Sequence, residues 1–156
     1  MNKLQEIIHF IISNYPTEHR YELSNARLTK IVYLSDWRHV LMTDTANSIS
    51  GIKWYFHNYG PYVDDVRDNA VDDFFVKKTN ASCLYITDVK NTDYKYGLLK
   101  ESERSAILKV IELTKKLNFS QFIDFVYSTY PIKTSSRYTY LDLQQKKEER
   151  LAILSH

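Results

Sequence analysis

The spacing of apolar residues changes abruptly over residues 51–59, and this change constrains the fold more than any other feature of the chain. Apolar side chains there fall at every second position, which is typical of an extended strand: Ile52, Trp54 and Phe56. Because the chain has only three glycines and three prolines, each is expected to mark a specific backbone event. We therefore predict that the Tyr59-Gly60-Pro61 turn joins this strand to a helix that begins at Pro61.

The remaining segments are mainly helical in their spacing. Apolar residues at every third or fourth position predict helices over residues 1–13, 24–42, 61–74, 102–117 and 120–130, with a terminal helix near 143–154. The second of these is apolar around more than half of its circumference, as expected for a central helix that others surround. Extended spacing in residues 74–76, 83–87 and 94–99 predicts a small antiparallel sheet. The predicted fold class is α+β, a mainly helical single domain over residues 1–156 with about five to six helices.

The composition is that of a globular protein, with 44% hydrophobic and 26% charged residues. A net charge of only +2 argues against a dedicated nucleic-acid-binding protein, in which basic residues supply most of the affinity. The single cysteine, Cys83, lies in an apolar run, so we expect a buried thiol in a reducing compartment. No secretory signal or membrane-spanning run is visible, and we expect a cytoplasmic protein with no membrane partner.

The chain carries none of the common catalytic or nucleotide-binding motifs. Three glycines cannot supply a GxSxG elbow, a Walker loop or a GxGxxG turn. The five histidines form no HxxxH pair and have no cysteine at metal-binding spacing. Asp36 and His39 lie three residues apart on one predicted helix face, and we interpret them as a polar pair at the helix surface rather than as metal ligands. We therefore expect no enzymatic activity, no catalytic residue, no metal site and no cofactor.

An acidic stripe marks the predicted third helix. Asp64, Asp68 and Asp72 recur every four residues, Asp65 and Asp73 flank them, and the segment 64–73 holds five Asp against one Arg. Like charges at this spacing weaken a helix by a few tenths of a kcal/mol, roughly, for each pair. The stripe is either a solvated face or an electrostatic patch that attracts a basic protein.

Tyrosines crowd the segment 127–140, where Lys133 and Arg137 lie among them: Tyr127, Tyr130, Tyr138 and Tyr140. Three interpretations stay open for this segment. The tyrosines could pack against the core, form a protein-binding surface rich in hot-spot residues, or stack on single-stranded nucleic acid.

Three motifs, taken in order, resemble the Panacea domain, also called the SocA-like antitoxin domain. Residues 28–37 (LTKIVYLSDW) resemble the family's L-x-K-L-x-Y-x-A-x-x-W helix. Residues 51–63, with Trp54 and the run YGPYV at 59–63, resemble its strand and Y-G-P-V turn. Residues 126–131 (VYSTYP) resemble a late segment found in one branch of the family. Together the motifs span most of the chain.

The resemblance implies an antitoxin that binds and neutralises a co-encoded protein toxin in bacteria or their phages. It also implies a second mode, since one member hands its toxin to a protease as an adaptor. Homo-oligomerisation stays open, and so does the alternative function of a nucleic-acid-binding regulator that uses the C-terminal Tyr/Lys/Arg surface. We expect the partner to contact the acidic stripe and nearby aromatic residues: Asp64, Asp65, Asp68, Asp72, Tyr55, Tyr59 and Tyr62. Four residues are expected to define the fold instead: Trp37, Trp54, Gly60 and Pro61.

Overall fold

The computed structural model describes residues 1–44 and 47–155. The helices, in chain order, are α1 (Lys3–Asn14), a 3₁₀ helix (Thr17–Glu22), α2 (Asn25–Met42), α3 (Asp65–Asn69), α4 (Glu101–Thr114), α5 (Phe119–Tyr127), α6 (Tyr130–Lys133) and α7 (Leu143–Leu154). The strands are β1 (Trp54–His57), β2 (Gly60–Pro61), β3 (Phe75–Asn80), β4 (Cys83–Val89) and β5 (Tyr140–Leu141). The strands are paired antiparallel. The predicted α+β class is therefore confirmed.

Helix α2 is the centre of the fold, as its spacing predicts. The helix begins where expected, because the Ser24 hydroxyl caps it by accepting a hydrogen bond from the Arg27 amide at 3.1 Å. Its buried residues face α3, α4, α5, α7 and strand β4, and Trp37 is among them. None of the helices in the two described ranges is long and apolar enough to cross a lipid bilayer.

Strand β1 forms the middle of a three-stranded sheet in the order β2-β1-β5. Phe56 pairs with Pro61 on one side, and Trp54 pairs with Leu141 on the other. The alternation predicted for this segment is confirmed, because Trp54 and Phe56 point into the core while Tyr55 and His57 face outward. The outer face of this sheet is the surface on which the candidate site is built.

The other two strands, β3 and β4, form a separate hairpin whose tip lies at Ala81 and Ser82, both at positive φ. The prediction of a buried Cys83 is wrong: the residue pairs with Asn80 beside this tip, past the edge of the core, and is exposed. The predicted strand over residues 94–99 is also absent. That segment is irregular because its side chains bond to helix α1 instead, with the Tyr94 hydroxyl donating to Glu6 at 2.7 Å.

The prediction that a helix starts at the glycine-proline step is wrong. Gly60–Pro61 is strand β2, and α3 spans only Asp65–Asn69, with Asp64 at its N-cap position. Asp72 lies beyond the helix, in the turn that precedes β3. The helix ends early because Ala70 leaves the helical region (φ −83°, ψ 67°) and buries its side chain. The acidic stripe is therefore not one face of a helix.

Candidate partner-binding surface

Five aromatic side chains cover the outer face of the three-stranded sheet. We call them the aromatic face: Tyr55, His57, Tyr62, Tyr138 and Tyr140. The ring centroids of Tyr55 and Tyr140 are 5.0 Å apart, and His57 lies 6.4 Å from Tyr62 and 6.3 Å from Tyr138. Tyr138 and Tyr140 are 61% and 74% exposed. Such a cluster of large, accessible rings is the composition expected of a protein-binding surface.

The aromatic face joins two segments that lie far apart in the sequence. Strand β5 pairs antiparallel with β1, so that Tyr140 lies directly opposite Tyr55. Tyr138 has a positive φ of 68°, a backbone conformation that non-glycine residues adopt mostly where the surroundings hold them. Its amide donates to the Phe56 carbonyl at 2.6 Å, and its hydroxyl donates to Asn58 Oδ1 at 2.5 Å. The hairpin formed by β1 and β2, with Asn58 at its tip, therefore fixes the C-terminal tyrosines in place.

The acidic stripe divides in two in the structure. Asp64 and Asp65 line a depression of about 700 Å³ beside Tyr55 and Tyr62, which we call the acidic depression. The Tyr62 hydroxyl donates to Asp64 Oδ1 at 3.0 Å, and burial is the main cause that raises the pKa of Tyr62. Asp64 is therefore held against the aromatic face. Its other neighbour is the Arg67 guanidinium, at 3.4 Å.

The other two members of the stripe lie outside the acidic depression. Asp68 is 3.5 Å from Arg67, and Asp72 is 3.1 Å from Lys77 on strand β3. Both carboxylates are exposed, so these contacts are weak in energy but reduce the local negative charge. The predicted contact residues Tyr55, Tyr62, Asp64 and Asp65 thus come together, whereas Asp68 and Asp72 do not join them.

On the other side of Tyr62 lies a second groove, of about 690 Å³, which we call the Lys30 groove. Helix α5 forms one wall and the β1–β2 hairpin forms another, with mainly apolar lining: Ala26, Tyr59, Tyr62, Phe119, Ile123 and Tyr127. Lys30 of helix α2 also lines it and is only 2% exposed. Burial lowers the pKa of Lys30 to about 8. Sequence spacing gave no sign of this groove, because residues on three separate elements line it.

Lys30 has no ion-pair or hydrogen-bond partner among the residues that the structure describes. Across residues 1–44 and 47–155, no side chain or carbonyl forms an ion pair or hydrogen bond with its Nζ atom. The nearest favourable contact is the ring of Tyr62, whose centroid is 5.8 Å from Nζ. Lys30 is therefore a buried cation whose amine meets the groove rather than an acceptor.

Gly60 allows the hairpin to lie over Lys30. Its φ is +105°, a region that side chains rarely adopt. A β-carbon at this position would lie 3.5 Å from Lys30 Cε and 3.6 Å from Tyr127 Cε2. The Tyr59-Gly60-Pro61 turn therefore covers the stem of Lys30, while Tyr59 at its tip is 78% exposed.

Asp36 on the same helix is fully buried, and so is most of His39, so the interpretation of these residues as a surface polar pair is wrong. Asp36 accepts hydrogen bonds from the Ser50 amide at 3.0 Å, the Trp54 indole N–H at 2.9 Å and the Ser50 hydroxyl. Burial raises the pKa of Asp36 to about 6, although these bonds oppose the shift. The indole donor explains why Trp54 anchors strand β1 to helix α2.

The family of the chain follows from a match over most of its length. The family model "Antitoxin SocA-like, Panacea domain" matches residues 28–131, about two thirds of the chain. The chain belongs to this Panacea family. No curated protein and no solved structure matches it. The matched part of this Panacea domain contains Lys30, Asp36 and the β1–β2 hairpin, whereas Tyr138 and Tyr140 lie beyond it.

Proposed function

We propose that this Panacea domain binds a cognate protein toxin and neutralises it by covering the toxin's working surface. It acts in the cytoplasm through binding and not through catalysis. Membership of an antitoxin-like family supports the toxin as the kind of partner. The observation that carries the proposal is the aromatic face, because tyrosine-rich exposed clusters supply much of the affinity in protein interfaces.

The acidic depression supplies the second part of the proposed interface. Asp64 and Asp65 are exposed at the margin of the aromatic face. Charges at the rim of an interface mainly increase the association rate and select partners of opposite charge. Basic residues of the toxin would therefore dock beside Tyr55 and Tyr62, with the rings forming the apolar centre.

A nucleic-acid partner is the weaker alternative for the same surface. Arg137 directly precedes the exposed Tyr138, but its guanidinium donates to the Asn58 carbonyl at 3.1 Å and to the Tyr127 hydroxyl at 3.3 Å. Asp64 and Asp65 lie on the other margin of the face. A surface with engaged arginine and exposed carboxylates favours a protein over a phosphate backbone.

Co-expression with the neighbouring reading frame tests the proposal. We expect that frame to encode a protein that arrests growth alone and is harmless together with this chain. A Tyr55→Ala/Tyr140→Ala double variant should lose about a hundredfold or more in affinity, since two central hot spots are removed. Tyr21→Ala is the matched control, because Tyr21 is about as exposed as Tyr140 but lies on the 3₁₀ helix. Growth arrest that neither the unchanged chain nor the Tyr21→Ala control relieves would contradict the proposal.

Two further measurements separate the modes of action. Charge reversal of Asp64 and Asp65 to Lys should slow association about tenfold or more at low salt, while the same change at Asp68 and Asp72 should have a smaller effect. The toxin's half-life in cells, measured with and without this chain, separates occlusion from delivery to a protease. A shortened half-life indicates delivery, and an unchanged one indicates occlusion. A mobility-shift titration that detects salt-dependent DNA or RNA binding would favour the nucleic-acid alternative.

A further inference from the structure

We infer that the Lys30 groove receives an acidic side chain of the partner protein, a glutamate or aspartate set between apolar residues, and that Lys30 pairs with its carboxylate. The protein nature of the occupant rests on the proposed function. The preference of the groove for an apolar carboxylate stands on the groove alone.

The charge of Lys30 is unmatched among the described residues. Moving a cation out of water is unfavourable unless an anion or several acceptors surround it. Another buried cation of helix α2, Arg27, has two such acceptors, because its guanidinium donates to the carbonyls of Thr114 and Leu117 at 3.0 and 2.8 Å. Lys30 lies almost one turn further along and is buried to the same degree, yet within residues 1–44 and 47–155 its amine has only the Tyr62 ring as a favourable contact. An anion from outside the chain is what its surroundings lack.

The lining of the groove is mainly apolar. Phe119, Ile123 and Tyr127 on helix α5 face Tyr59 and Tyr62 on the hairpin. A volume of about 690 Å³ falls within the range of ordinary ligand pockets and is large enough for several side chains. Apolar walls around one cation fit an apolar group that carries one carboxylate. A partner side chain that fills the groove would displace water from these walls, and the ion pair would then be stronger than it is at the surface.

The groove favours the carboxylate of an acidic side chain over that of a chain end. Lys30 lines the groove although only 2% of it is exposed, so a carboxylate that reaches its amine must project inward from the partner's backbone. A glutamate or aspartate can do so while its own peptide groups stay hydrated at the rim. A C-terminal carboxylate would carry peptide N–H and C=O groups into the apolar groove, where each unpaired one is unfavourable.

Nucleic acid fits the groove less well. A phosphate backbone binds through several cations at once, and among the described lining residues Lys30 is the one lysine or arginine. The groove is also lined by Asp124 and His57. The Asp124 carboxylate is not within ion-pair distance of Lys30 and therefore does not neutralise the lysine. Its negative charge disfavours a phosphate polyanion more than it disfavours a single carboxylate.

A pair of small probes tests the groove without any toxin. The ¹⁵N-labelled full chain is titrated with 3-phenylpropionate and with its neutral isostere 3-phenylpropionamide. We expect the carboxylate to bind about tenfold or more tightly than the amide, with shifts concentrated at Ile123 and Tyr127, because only the carboxylate pairs with the amine. Equal affinity of the two probes, or shifts elsewhere on the chain, would overturn the inference.

Lys30→Met is the decisive variant, because methionine keeps an unbranched apolar stem and removes the amine. It should abolish the preference for the carboxylate probe while the unfolding midpoint stays equal or rises, since an unpaired buried charge has been removed. Lys78→Met is the matched control, because Lys78 is exposed on strand β3, and it should change neither quantity. A Lys30→Met protein that unfolds more readily and still prefers the carboxylate would mark a purely structural lysine and overturn the inference.

Binding to the toxin separates this inference from the proposed function. Lys30→Met should weaken toxin binding about thirtyfold, and one acidic residue of the toxin should show no further loss in that background, as a double-mutant cycle reveals. If the toxin binds but the cycle finds no coupled acidic residue, the inference fails and the proposed function survives. If the carboxylate probe binds and no toxin does, the proposed function fails alone. Lys30-dependent binding of a ten-nucleotide oligo-dT would overturn the protein occupant.

Discussion

Among the charged side chains that helix α2 buries, Lys30 and Asp36 carry opposite charges six positions apart, and their surroundings differ. Asp36 is enclosed by three hydrogen-bond donors from Ser50 and Trp54. Lys30 meets one aromatic ring and a groove. Burial favours the neutral form of both groups, so it raises the pKa of Asp36 and lowers the pKa of Lys30. A buried charge whose bonding capacity is met inside the chain holds the fold together. One whose capacity is unmet points to a ligand.

The largest expected effect comes from removal of Asp36, the buried charge whose hydrogen bonds are made inside the chain. Asp36→Ala removes the acceptor of the buried Trp54 indole N–H and of both partly buried Ser50 donors. Each such donor costs about 1–3 kcal/mol, so we expect the free energy of unfolding to fall by about 3–5 kcal/mol in chemical denaturation. Asp93→Ala, in an exposed loop, should change it by less than about 0.5 kcal/mol. A loss at Asp36 as small as that at Asp93 would contradict a structural role.

The pH dependence of the free energy of unfolding tests the other buried charge, Lys30. Its folded pKa of about 8 lies below the ordinary lysine value of 10.5, so the unfolded chain binds more protons between these pH values. The free energy of unfolding should therefore rise as pH increases from 8 to 10.5, by roughly 3 kcal/mol at most. Lys30→Met should lack this rise and be the more stable protein at pH 7. The difference between the two denaturation series isolates Lys30, and parallel curves would show that its burial carries no penalty.

Asp36 should give the opposite slope in acid. Its folded pKa of about 6 lies above the ordinary aspartate value of 3.8, so the folded chain binds more protons between these pH values. The free energy of unfolding should therefore fall as pH rises from about 4 to 6, by roughly 3 kcal/mol. Asp36→Asn keeps one acceptor oxygen and removes the titration. Subtraction of the Asp36→Asn series from the parent series should leave this fall, and a flat difference would contradict it.

The smallest expected effect concerns the cover of the Lys30 groove. Gly60→Ala places a side chain at a φ of +105°, which costs about 1–3 kcal/mol in the free energy of unfolding. Gly97→Ala is the matched control, because a β-carbon there meets no atom within 4 Å among the described residues and its φ is not in the glycine-favoured region. Near-equal unfolding midpoints for the two variants would show that the turn adjusts and does not hold its position over Lys30.

The sequence predicts the long helices of this fold better than its site. Helices α1 and α2 have a local period and local caps, such as the Ser24 hydroxyl, so nothing distant is needed to place them. Strand β5 has two residues and no period of its own, and only its pairing with β1 defines it. The environment of Asp36 depends on Ser50 and Trp54, which meet it only in the folded chain.

The same limit explains the errors in the acidic stripe and at Cys83. A four-residue period of Asp64, Asp68 and Asp72 satisfies the helical rule, but burial of Ala70 ends the helix before the period is complete. An apolar run around Cys83 does not reveal that the hairpin tip extends past the core. Lys30 stood in the family motif, yet its isolation follows only from the three elements that surround it.

The pairing of β5 with β1 has a consequence for how this Panacea domain can change its target. Tyr138 and Tyr140 reach the aromatic face from a segment outside residues 28–131, the part shared with the family. Asp36, Lys30 and the glycine turn all lie inside that part. We therefore expect substitutions near the C-terminal strand to alter a large part of the proposed contact surface while the scaffold within residues 28–131 is kept.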